Sequence, residues 1–252
     1  MAFCRMSQVQ RPLIAFDFDF TIVNQNTDIE VQSTAPGGSI PTEVKAKWNA
    51  SQWTKYMRNV FLHLHSRSVT KDNILARMKG LTFTPGFKEL IVDLHDKQGA
   101  ELIIISDSNS VFINFIIEGN NLKKYFSAIY TNPATWSESG LLQIRPYHHQ
   151  THCSLSSSNL CKGEVLGTHV RASRSKYSFV AFVGDGTNDF CPMLSLSSND
   201  LAFVRRGYSL EPFIQKQIRE HNRHISATIH YWNDGSEIYA RILREIHSKR
   251  TV

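Results

Sequence analysis

The sequence contains no uninterrupted apolar stretch long enough to cross a bilayer, since a spanning helix needs about 20 such residues. Its first residues, Met1 to Pro12, are polar, include Arg5 and Arg11, and lack the apolar core of a secretory signal. Hydrophobic residues make up 41% of the chain and charged residues 20%, which is an ordinary globular composition. We therefore expect a cytoplasmic protein with a frayed N-terminus and no membrane partner.

Cysteine is scarce and irregularly spaced: the four residues are Cys4, Cys153, Cys161 and Cys191. So few cysteines at such spacings favour reduced thiols over a disulfide framework. A zinc site could be imagined from Cys153 and Cys161 together with His149 and His152. Two cysteines without a second pair match structural zinc patterns poorly, so we interpret them as free thiols.

The chain also lacks a basic run. Its formal net charge is +6 and its sequence pI is about 9.2. However, the lysines and arginines are scattered, and no nucleic-acid recognition motif is present. This pattern favours a solvated surface with a mild attraction for anionic ligands. We expect no nucleic-acid partner, and the sequence indicates no obligate protein partner.

Strand and helix patterns alternate along most of the chain. The first strand, Leu13 to Phe18, is apolar on both faces, as a central parallel strand should be. A helical pattern without a strand signal runs from Thr42 to Met78, and Gly80 ends it. Further strands are predicted at 102–105, 128–130, 179–183, 201–204 and 225–231. Further helices are predicted at 87–99, 111–117, 161–169, 210–220 and 236–247.

This alternation predicts an α/β protein with a doubly wound, mainly parallel sheet. The helical pattern after the first strand predicts a small insert, and 252 residues are enough for a core domain that carries one. We assign residues 1–26 and 84–252 to a catalytic core and residues 27–83 to a helical cap.

Three of the predicted strands end in polar motifs, and a lysine starts the helix before the third. These residues are Asp17, Asp19 and Thr21; Ser106 and Asp107; Lys162; and Asp185, Asn188 and Asp189. Parallel strands share a direction, so the motifs lie along the one edge where open α/β sheets bind ligands. A single strand-end aspartate usually only caps the next helix. Four such elements in this order favour a shared catalytic site, and carboxylates so close together share a proton or bind a metal ion.

The motifs resemble those of haloacid dehalogenase-type phosphatases. They are Asp17-Phe18-Asp19-Phe20-Thr21, Ser106-Asp107, Lys162 and Gly184-Asp185-Gly186-Thr187-Asn188-Asp189. Other segments look like those of the phosphoethanolamine/phosphocholine phosphatase and pyridoxal phosphate phosphatase group: 84–86, 106–113, 131–134, 159–162, 189–192 and 206–208. Segments 106–113 and 131–134 are nearer the pyridoxal phosphate branch. The resemblance runs from Leu13 to the last helix and implies that family's Rossmann-like core.

The resemblance implies a phosphomonoesterase that acts on a small phosphorylated metabolite with Mg²⁺ as cofactor. Asp17 would attack the phosphorus and form an aspartyl-phosphate. Asp19 would protonate the leaving alcohol and later take a proton from the attacking water. The ion would bridge Asp17, the backbone carbonyl of Asp19 and Asp185.

Other residues take supporting roles by the same resemblance. Thr21, Ser106 and Lys162 would bind the transferring oxygens. Asp189 would hold Lys162 or a metal-bound water, and Asn188 would orient its loop.

Two carboxylates are substrate-contact candidates by resemblance, Asp28 and Asp107. Asp28 opens the insert and is equally well interpreted as an N-cap or a solvated loop charge. The insert itself is expected to act as a lid over the strand ends. Its aromatic residues could stack on a flat substrate ring, although such a stripe usually forms an insert's own core. They are Trp48, Trp53 and Phe61.

The chain departs from the family pattern at three positions. Ser156 replaces the second cysteine of a His-x-Cys-x-x-Cys segment that the family commonly carries. Asn24 stands where an acidic residue is usual, and Phe20 stands where a polar one is. The last two leave the catalytic pair intact but put the substrate pocket in doubt.

Several functions compete. Within the phosphatase class, pyridoxal 5′-phosphate is the leading substrate, and phosphoethanolamine or phosphocholine is the alternative. A catalytically silent binding protein that kept the fold is a second class, although it would have no need of both Asp17 and Asp19. A carbon–halogen hydrolase is a third, but its chemistry needs no metal and leaves the charges of Asp19 and Asp185 unexplained.

Overall fold

The computed structural model describes residues 10–49, 52–173 and 177–250. Within them a six-stranded parallel sheet has the order β3-β2-β1-β6-β7-β8, and β4 and β5 form a separate antiparallel pair. The strands are β1 (Leu13–Phe16), β2 (Glu101–Asn109), β3 (Phe126–Asn132), β4 (Ala134–Trp136), β5 (Leu142–Ile144), β6 (Val180–Gly184), β7 (Leu201–Arg205) and β8 (Thr228–Trp232).

Helices connect the strands. They are α1 (Thr27–Glu30), α2 (Thr42–Lys45), α3 (Trp53–Ser66), α4 (Lys71–Lys79), α5 (Phe87–Asp96), α6 (Ser110–Gly119), α7 (Lys162–Ala172), α8 (Phe190–Leu194), α9 (Leu210–His221) and α10 (Gly235–Arg250). Short helical turns lie at Phe18–Ile22, Val31–Thr34, Pro36–Gly38, Lys123–Tyr125 and Thr187–Asp189.

Helices cover both faces of the sheet, and alternate side chains of its central strand, β1, point to opposite faces. Ile14 and Phe16 join a core that includes residues of α5, α6 and α10. Leu13 and Ala15 join a second core, which includes residues of α7, α8 and α9. Helices on both sides of a parallel sheet confirm the predicted doubly wound α/β fold.

The chain between β1 and β2 is helical where the sequence predicted it to be. The predicted stretch from Thr42 to Met78 contains α2, α3 and α4 rather than one continuous helix. Thr70 caps α4 through a reciprocal pair of hydrogen bonds with Asn73, and Gly80 follows the helix end. The insert packs on the core, since the rings of Phe61 and Phe112 meet edge to face at 6.0 Å.

Some local predictions were wrong. The first strand ends at Phe16 rather than Phe18, because the chain then forms the short helical turn Phe18–Ile22. The hairpin of β4 and β5 and the five-residue α8 were not predicted, since elements this short carry too little periodicity. The N-terminal segment 1–9, with Cys4, lies outside the described residues. None of the helices in the described ranges has the length and apolarity to cross a membrane.

Candidate active site

The three central strands carry the polar motifs to one edge of the sheet. Phe16, the last residue of β1, pairs with Ile104 of β2 on one side and Val183 of β6 on the other. The motifs that follow these strands are therefore neighbours in space although they lie far apart in sequence. Asp17, which directly follows β1, is buried at the centre of this edge.

A cavity of about 260 Å³ opens at this edge. Six of the predicted site residues line it: Asp17, Asp19, Ser106, Asp107, Asp185 and Asn188. The other four are buried and do not line it: Thr21, Asp28, Lys162 and Asp189. The sequence motifs thus form one site with a polar wall and a second layer of residues behind it.

Lys162 is fully buried between two carboxylates. Its Nζ lies 2.9 Å from Asp17 Oδ1 and 2.6 Å from Asp189 Oδ1. Burial alone would lower the pKa of Lys162, but the charges of Asp17 and Asp189 raise it above its usual range. The ammonium therefore stays charged and partly neutralises the acidic site.

Asp189 is held by the loop that it organises. Its Oδ2 accepts hydrogen bonds from the backbone N–H groups of Asp185 and Gly186, both at 2.9 Å. A Cβ at position 184 would lie 2.3 Å from the same oxygen, so the residue there must be glycine. With Oδ1 bound to Lys162, both oxygens of Asp189 are occupied, and its role is to position its neighbours.

Negative charge is in excess at the site. Carboxylate oxygens of Asp17, Asp185 and Asp189 all lie within 4.8 Å of one another. Burial, and then the charge of Asp189, raises the pKa of Asp17 in spite of Lys162. Burial and the charges of Asp17 and Asp189 likewise raise the pKa of Asp185. Hard oxygen donors with uncompensated charge are the donor set that suits Mg²⁺.

Asp19 is bound to the start of the insert. Its Oδ1 accepts from the backbone N–H of Thr27 at 3.0 Å, and its Oδ2 from the Thr27 hydroxyl at 3.1 Å. That hydroxyl also lies 2.7 Å from Ser108 Oγ. Burial, and then the charge of Asp28, raises the pKa of Asp19 well above its usual range. Thr27 was not singled out in the sequence, because a threonine at a helix start usually has only a local role.

Polar contacts also define the wall formed by the end of β2. Asp107 Oδ1 accepts from Asn159 Nδ2 at 2.8 Å, and Asn188 binds its other oxygen. The buried Ser106 Oγ accepts from the backbone N–H of Ser108 at 3.2 Å, which leaves its hydroxyl proton available to a ligand. Asn159 belongs to segment 159–162, which resembles the family, but no role was predicted for it from the sequence.

Asp28 is a buried carboxyl with one free oxygen. Its Oδ2 accepts from Trp53 Nε1 at 2.7 Å, whereas Oδ1 has no hydrogen-bond partner among the residues that the structure describes. Burial raises the pKa of Asp28 to about 7, with Trp53 acting against and Asp107 adding to the rise. The interpretation of Asp28 as a solvated loop charge was therefore wrong.

The aromatic residues of the insert occupy three environments. Phe61 is buried in the core, as the alternative interpretation predicted. Trp53 is half-buried and hydrogen-bonded to Asp28. Trp48 is 57% exposed, so it belongs neither to a core nor to the cavity.

Arg205 contacts two of the positions that depart from the family pattern. It donates to the carbonyl of Phe20 and to the side-chain oxygen of Asn24. Phe20 has a positive φ of 53°, which is uncommon for a bulky residue. Its ring lies 5.6 Å from that of Tyr208 and forms part of the cavity wall. Arg205 was not predicted, since an isolated arginine gives no signal of such distant partners.

Parallel strands in this order, with aspartates at the edge where they end, are the arrangement that the resemblance to haloacid dehalogenase-type phosphatases predicts. The solved structure of the phospho-aspartyl intermediate analogue of phosphoserine phosphatase matches with a TM-score of 0.59 at 21% identity, covering 92% of this chain and 99% of that chain. An identity this low supports the fold alone, which agrees with the fold predicted from the sequence.

Sequence comparison identifies the family. The family described as Putative Phosphatase matches residues 12–246. The pyridoxal phosphate phosphatase PHOSPHO2 of Mus musculus is 35% identical over 234 residues, 91% of this chain and 96% of that protein. The phosphoethanolamine/phosphocholine phosphatase of Homo sapiens is 32% identical over 244 residues, 94% of this chain and 90% of that protein. The chain belongs to this phosphatase family, and its enzyme class is phosphoric monoester hydrolase.

Proposed function

We propose that this phosphatase is a Mg²⁺-dependent enzyme that transfers the phosphoryl group of a small metabolite to Asp17 before hydrolysis. The observation that carries the proposal is the buried Lys162, held between Asp17 and Asp189 directly behind the wall of an acidic cavity. A buried ammonium next to a carboxylate at a ligand cavity is suited to a transferring phosphoryl group, because it offsets charge that water cannot reach.

Asp17 is the nucleophile in this proposal. Both of its donors among the described residues, Phe18 N at 2.7 Å and Lys162 Nζ at 2.9 Å, meet Oδ1. Oδ2 is then the oxygen left for attack. The Oδ2–phosphorus bond forms as the bond between phosphorus and the leaving oxygen breaks, and the product is an aspartyl-phosphate.

Asp19 is the general acid and base. Its raised pKa favours the protonated form, which gives its proton to the leaving alcohol oxygen in the first step. In the second step, it takes a proton from the water whose oxygen attacks phosphorus and releases Asp17. The two hydrogen bonds from Thr27 hold the carboxyl in place between the steps.

The acidic cluster fits a Mg²⁺ ion. Asp17, Asp185 and the backbone carbonyl of Asp19 would hold it, since both oxygens of Asp189 are already bound to N–H donors. When bound, the ion supplies positive charge that lets an anionic nucleophile approach an anionic phosphate. The raised pKa values of Asp17 and Asp185 are consistent with this assignment, because burial and the neighbouring carboxylates disfavour their charged forms and a bound cation would offset both effects.

The phosphate oxygens would be bound by Ser106, Lys162 and Thr21. Ser106 lines the cavity and has a hydroxyl proton to donate. Thr21 Oγ1 donates to Asp185 Oδ1 at 3.3 Å, so it must rotate to reach a phosphate. Until it does, Thr21 orients Asp185. Asn188 and Asp189 support this set by fixing the loop that follows β6.

We assign residues 27–83 to a cap that acts as a lid, with residues 1–26 and 84–252 as the core. Thr27 at the start of this segment contacts Asp19 directly, and Phe61 packs against Phe112 of the core. A closed lid would exclude water from the aspartyl-phosphate and supply leaving-group contacts. Replacing the segment by a short linker should reduce turnover and substrate discrimination, and unchanged values for both would disprove the lid.

Pyridoxal 5′-phosphate is the leading substrate. Curated relatives from several mammals are named pyridoxal phosphate phosphatases, and the Phe20 ring in the cavity wall offers an apolar face for a flat ring. Phosphoethanolamine or phosphocholine is the alternative. The observation that favours it is the unpartnered Oδ1 of the buried Asp28, which a cation would satisfy. A kcat/KM for the amines that exceeds that for pyridoxal 5′-phosphate by about tenfold, or 1.4 kcal/mol, would reverse this order.

The mechanism is tested by release of inorganic phosphate from para-nitrophenyl phosphate in the presence of Mg²⁺. We expect Asp17→Asn to lower kcat by about a thousandfold or more. The matched control is Asp72→Asn, on an exposed face of α4, which should behave like the parent protein. Full activity in Asp17→Asn would exclude the nucleophile. Failure of the parent to turn over any phosphomonoester, despite binding Mg²⁺, would favour the catalytically silent alternative.

A further inference from the structure

Three cysteine thiols meet close to the active site, and none of them lines the cavity. Cys153 lies in the loop before α7, Cys161 is the residue directly before α7, and Cys191 lies in α8. The Sγ atoms of Cys153 and Cys191 are 3.4 Å apart, and those of Cys161 and Cys191 are 3.7 Å apart. All three sulfurs lie within 4.8 Å of one another.

This spacing fits a shared metal ion better than a disulfide. A disulfide needs about 2.05 Å between sulfurs, so neither close pair is bonded. Two sulfurs that bind a tetrahedral Zn²⁺ at about 2.3 Å lie about 3.8 Å apart. The observed separations of 3.4 and 3.7 Å are close to that value, so small movements of the side chains would admit the ion.

The loop that contains Cys153 is held in place by side-chain hydrogen bonds. The buried Gln150 binds it from within, since its Oε1 accepts from Cys153 N at 2.8 Å and its Nε2 donates to the carbonyls of Cys153, Ser156 and Ser157. Cys161 N donates to His148 Nε2 at 2.8 Å. The backbone that carries two of the thiols is therefore fixed by side-chain hydrogen bonds before any ligand arrives.

The approach of Cys191 depends on the glycine after Lys162. A Cβ at Gly163 would lie 2.7 Å from Cys191 Sγ and 3.1 Å from the Cys191 carbonyl oxygen. Any larger residue at 163 would push α8 away from the first turn of α7. The zinc site considered from the sequence combined Cys153 and Cys161 with His149 and His152. It left out Cys191, which lies 30 residues beyond Cys161 and shares no motif with it.

We infer that Cys153, Cys161 and Cys191 bind one Zn²⁺ ion, with His152 as the fourth ligand. A ring nitrogen of His152 lies within 4.8 Å of Cys161 Sγ and of a carboxylate oxygen of Glu164. His152 Nε2 is 3.4 Å from that carboxylate, so the ring must turn from Glu164 toward the sulfurs to complete the ligand set. Three thiolates and one imidazole are a common ligand set for tetrahedral structural zinc. Thiolates are soft ligands that do not suit Mg²⁺, so the two metals would not compete for one site. Any thiol still protonated releases its proton when the ion binds.

The zinc site would position the catalytic lysine. Cys161 directly precedes Lys162, and Cys191 lies two residues after Asp189. An ion bound to both cysteines joins the two segments whose side chains form the 2.6 Å bond between Lys162 and Asp189. The cysteines are positioning residues in this proposal, because they contact neither substrate nor the reacting atoms.

The test measures bound metal in the full-length protein, independently of activity. We expect one zinc ion per chain by elemental mass spectrometry, and its release when a mercurial reagent blocks the thiols. Replacing zinc with Co²⁺ should give the sulfur-to-cobalt charge-transfer band. Cys191→Ser should weaken zinc binding by about a hundredfold or more. Asp185→Asn should leave the zinc in place, which separates this site from the Mg²⁺ site proposed for catalysis.

A gain-of-ligand variant tests the zinc site even if the cysteine-to-serine variants do not fold. Ser156 Oγ lies 3.6 Å from Cys153 Sγ, so Ser156→Cys places a fourth thiol at the cluster and should tighten zinc binding by about tenfold or more. The matched control is Ser154→Cys, whose side chain is exposed and should change nothing. No cobalt charge-transfer band, zinc binding that survives Cys191→Ser, or a stable disulfide within the trio after purification would each overturn the assignment.

Discussion

Asn188 Nδ2 donates a hydrogen bond of 2.6 Å to Asp107 Oδ2 and joins two residues that lie 81 positions apart in sequence. The contact ties the segment after β6 to the end of β2. With Asn159 on the other oxygen, both oxygens of Asp107 are occupied. Asp107 therefore shapes the cavity wall, and a substrate that needs its charge must share it with these two amides.

Asn188→Ala removes one of these donors. Loss of a hydrogen bond to a charged group is worth about 1.5–3 kcal/mol, so we expect kcat/KM for para-nitrophenyl phosphate to fall by about ten- to a hundredfold. Thermal denaturation of the same sample tests that the protein remains folded. Asn199→Ala, at an exposed position, serves as the control. Unchanged kinetics in Asn188→Ala would mean that the contact is not needed for activity.

Lys162→Met leaves two buried carboxylates without their cation. Removing one partner of a buried ion pair costs about 3–5 kcal/mol, and the loss of Lys162 would raise the pKa of Asp17 further. We expect lower resistance to urea and a fall in turnover of about a thousandfold. Lys216→Met, which removes an exposed ion pair with Glu220, should change stability by less than about 1 kcal/mol. Near-normal turnover in Lys162→Met would contradict the proposed role.

Metal binding and pH should be coupled through Asp185. Burial and the charges of Asp17 and Asp189 raise its pKa from an ordinary 3.8 to about 9 in the folded protein, so without a metal the folded state retains a proton that the unfolded chain has lost. The free energy of unfolding should therefore fall as pH rises from about 4 to 9 in chelator. Bound Mg²⁺ would offset the charge of the deprotonated Asp185 and so reduce this loss of stability. Mg²⁺ should therefore raise Tm more at about pH 8.5 than at about pH 6.

Asp185→Asn removes the negative charge that destabilises the metal-free protein and also removes a proposed ligand of Mg²⁺. We expect it to raise Tm in chelator at about pH 8.5, to abolish turnover, and to remove the effect of Mg²⁺ on Tm. The control is Asp72→Asn, which should keep the Mg²⁺ response of the parent. A Tm that responds to Mg²⁺ equally in Asp185→Asn and the parent would place the ion elsewhere.

Asp28 should make discrimination between substrates depend on pH. Its pKa of about 7 means that its negative charge appears as pH rises through neutrality. The ratio of kcat/KM for phosphocholine to that for para-nitrophenyl phosphate should rise over the same interval, because a charged Asp28 attracts the cation that only phosphocholine carries. Both substrates have the same phosphate group, so pH effects on that group cancel in the ratio. Asp28→Asn should abolish the rise.

A second variant checks the assignment to Asp28. Trp53→Phe removes the hydrogen bond that lowers the pKa of Asp28, so the midpoint of the rise should move to higher pH. A ratio that is flat in the parent protein, or a midpoint unaffected by Trp53→Phe, would exclude Asp28 as the titrating group.

The sequence predicted the sheet and the residues at its edge because both are encoded locally. Apolar runs mark β1, β2 and β6, and each is followed directly by its polar motif. Parallel strands then place those motifs together without further information. Lys162 could be placed at a helix start in the same way.

The contacts that sequence reasoning missed are not local. Arg205 binds Asn24 from 181 residues away, and Cys191 meets Cys153 from 38 residues away. Polar residues at such separations have many possible partners, and only the packed fold selects one. Thr27 was missed for the opposite reason, since a threonine before a helix has an ordinary capping explanation.

Burial of Lys162 between Asp17 and Asp189 has a consequence for the behaviour of the protein in salt. Dissolved ions screen charges that face the solvent but reach sealed pairs poorly. Ionic strength should thus slow the arrival of an anionic metabolite at this cationic protein while leaving the attraction inside the catalytic centre almost untouched.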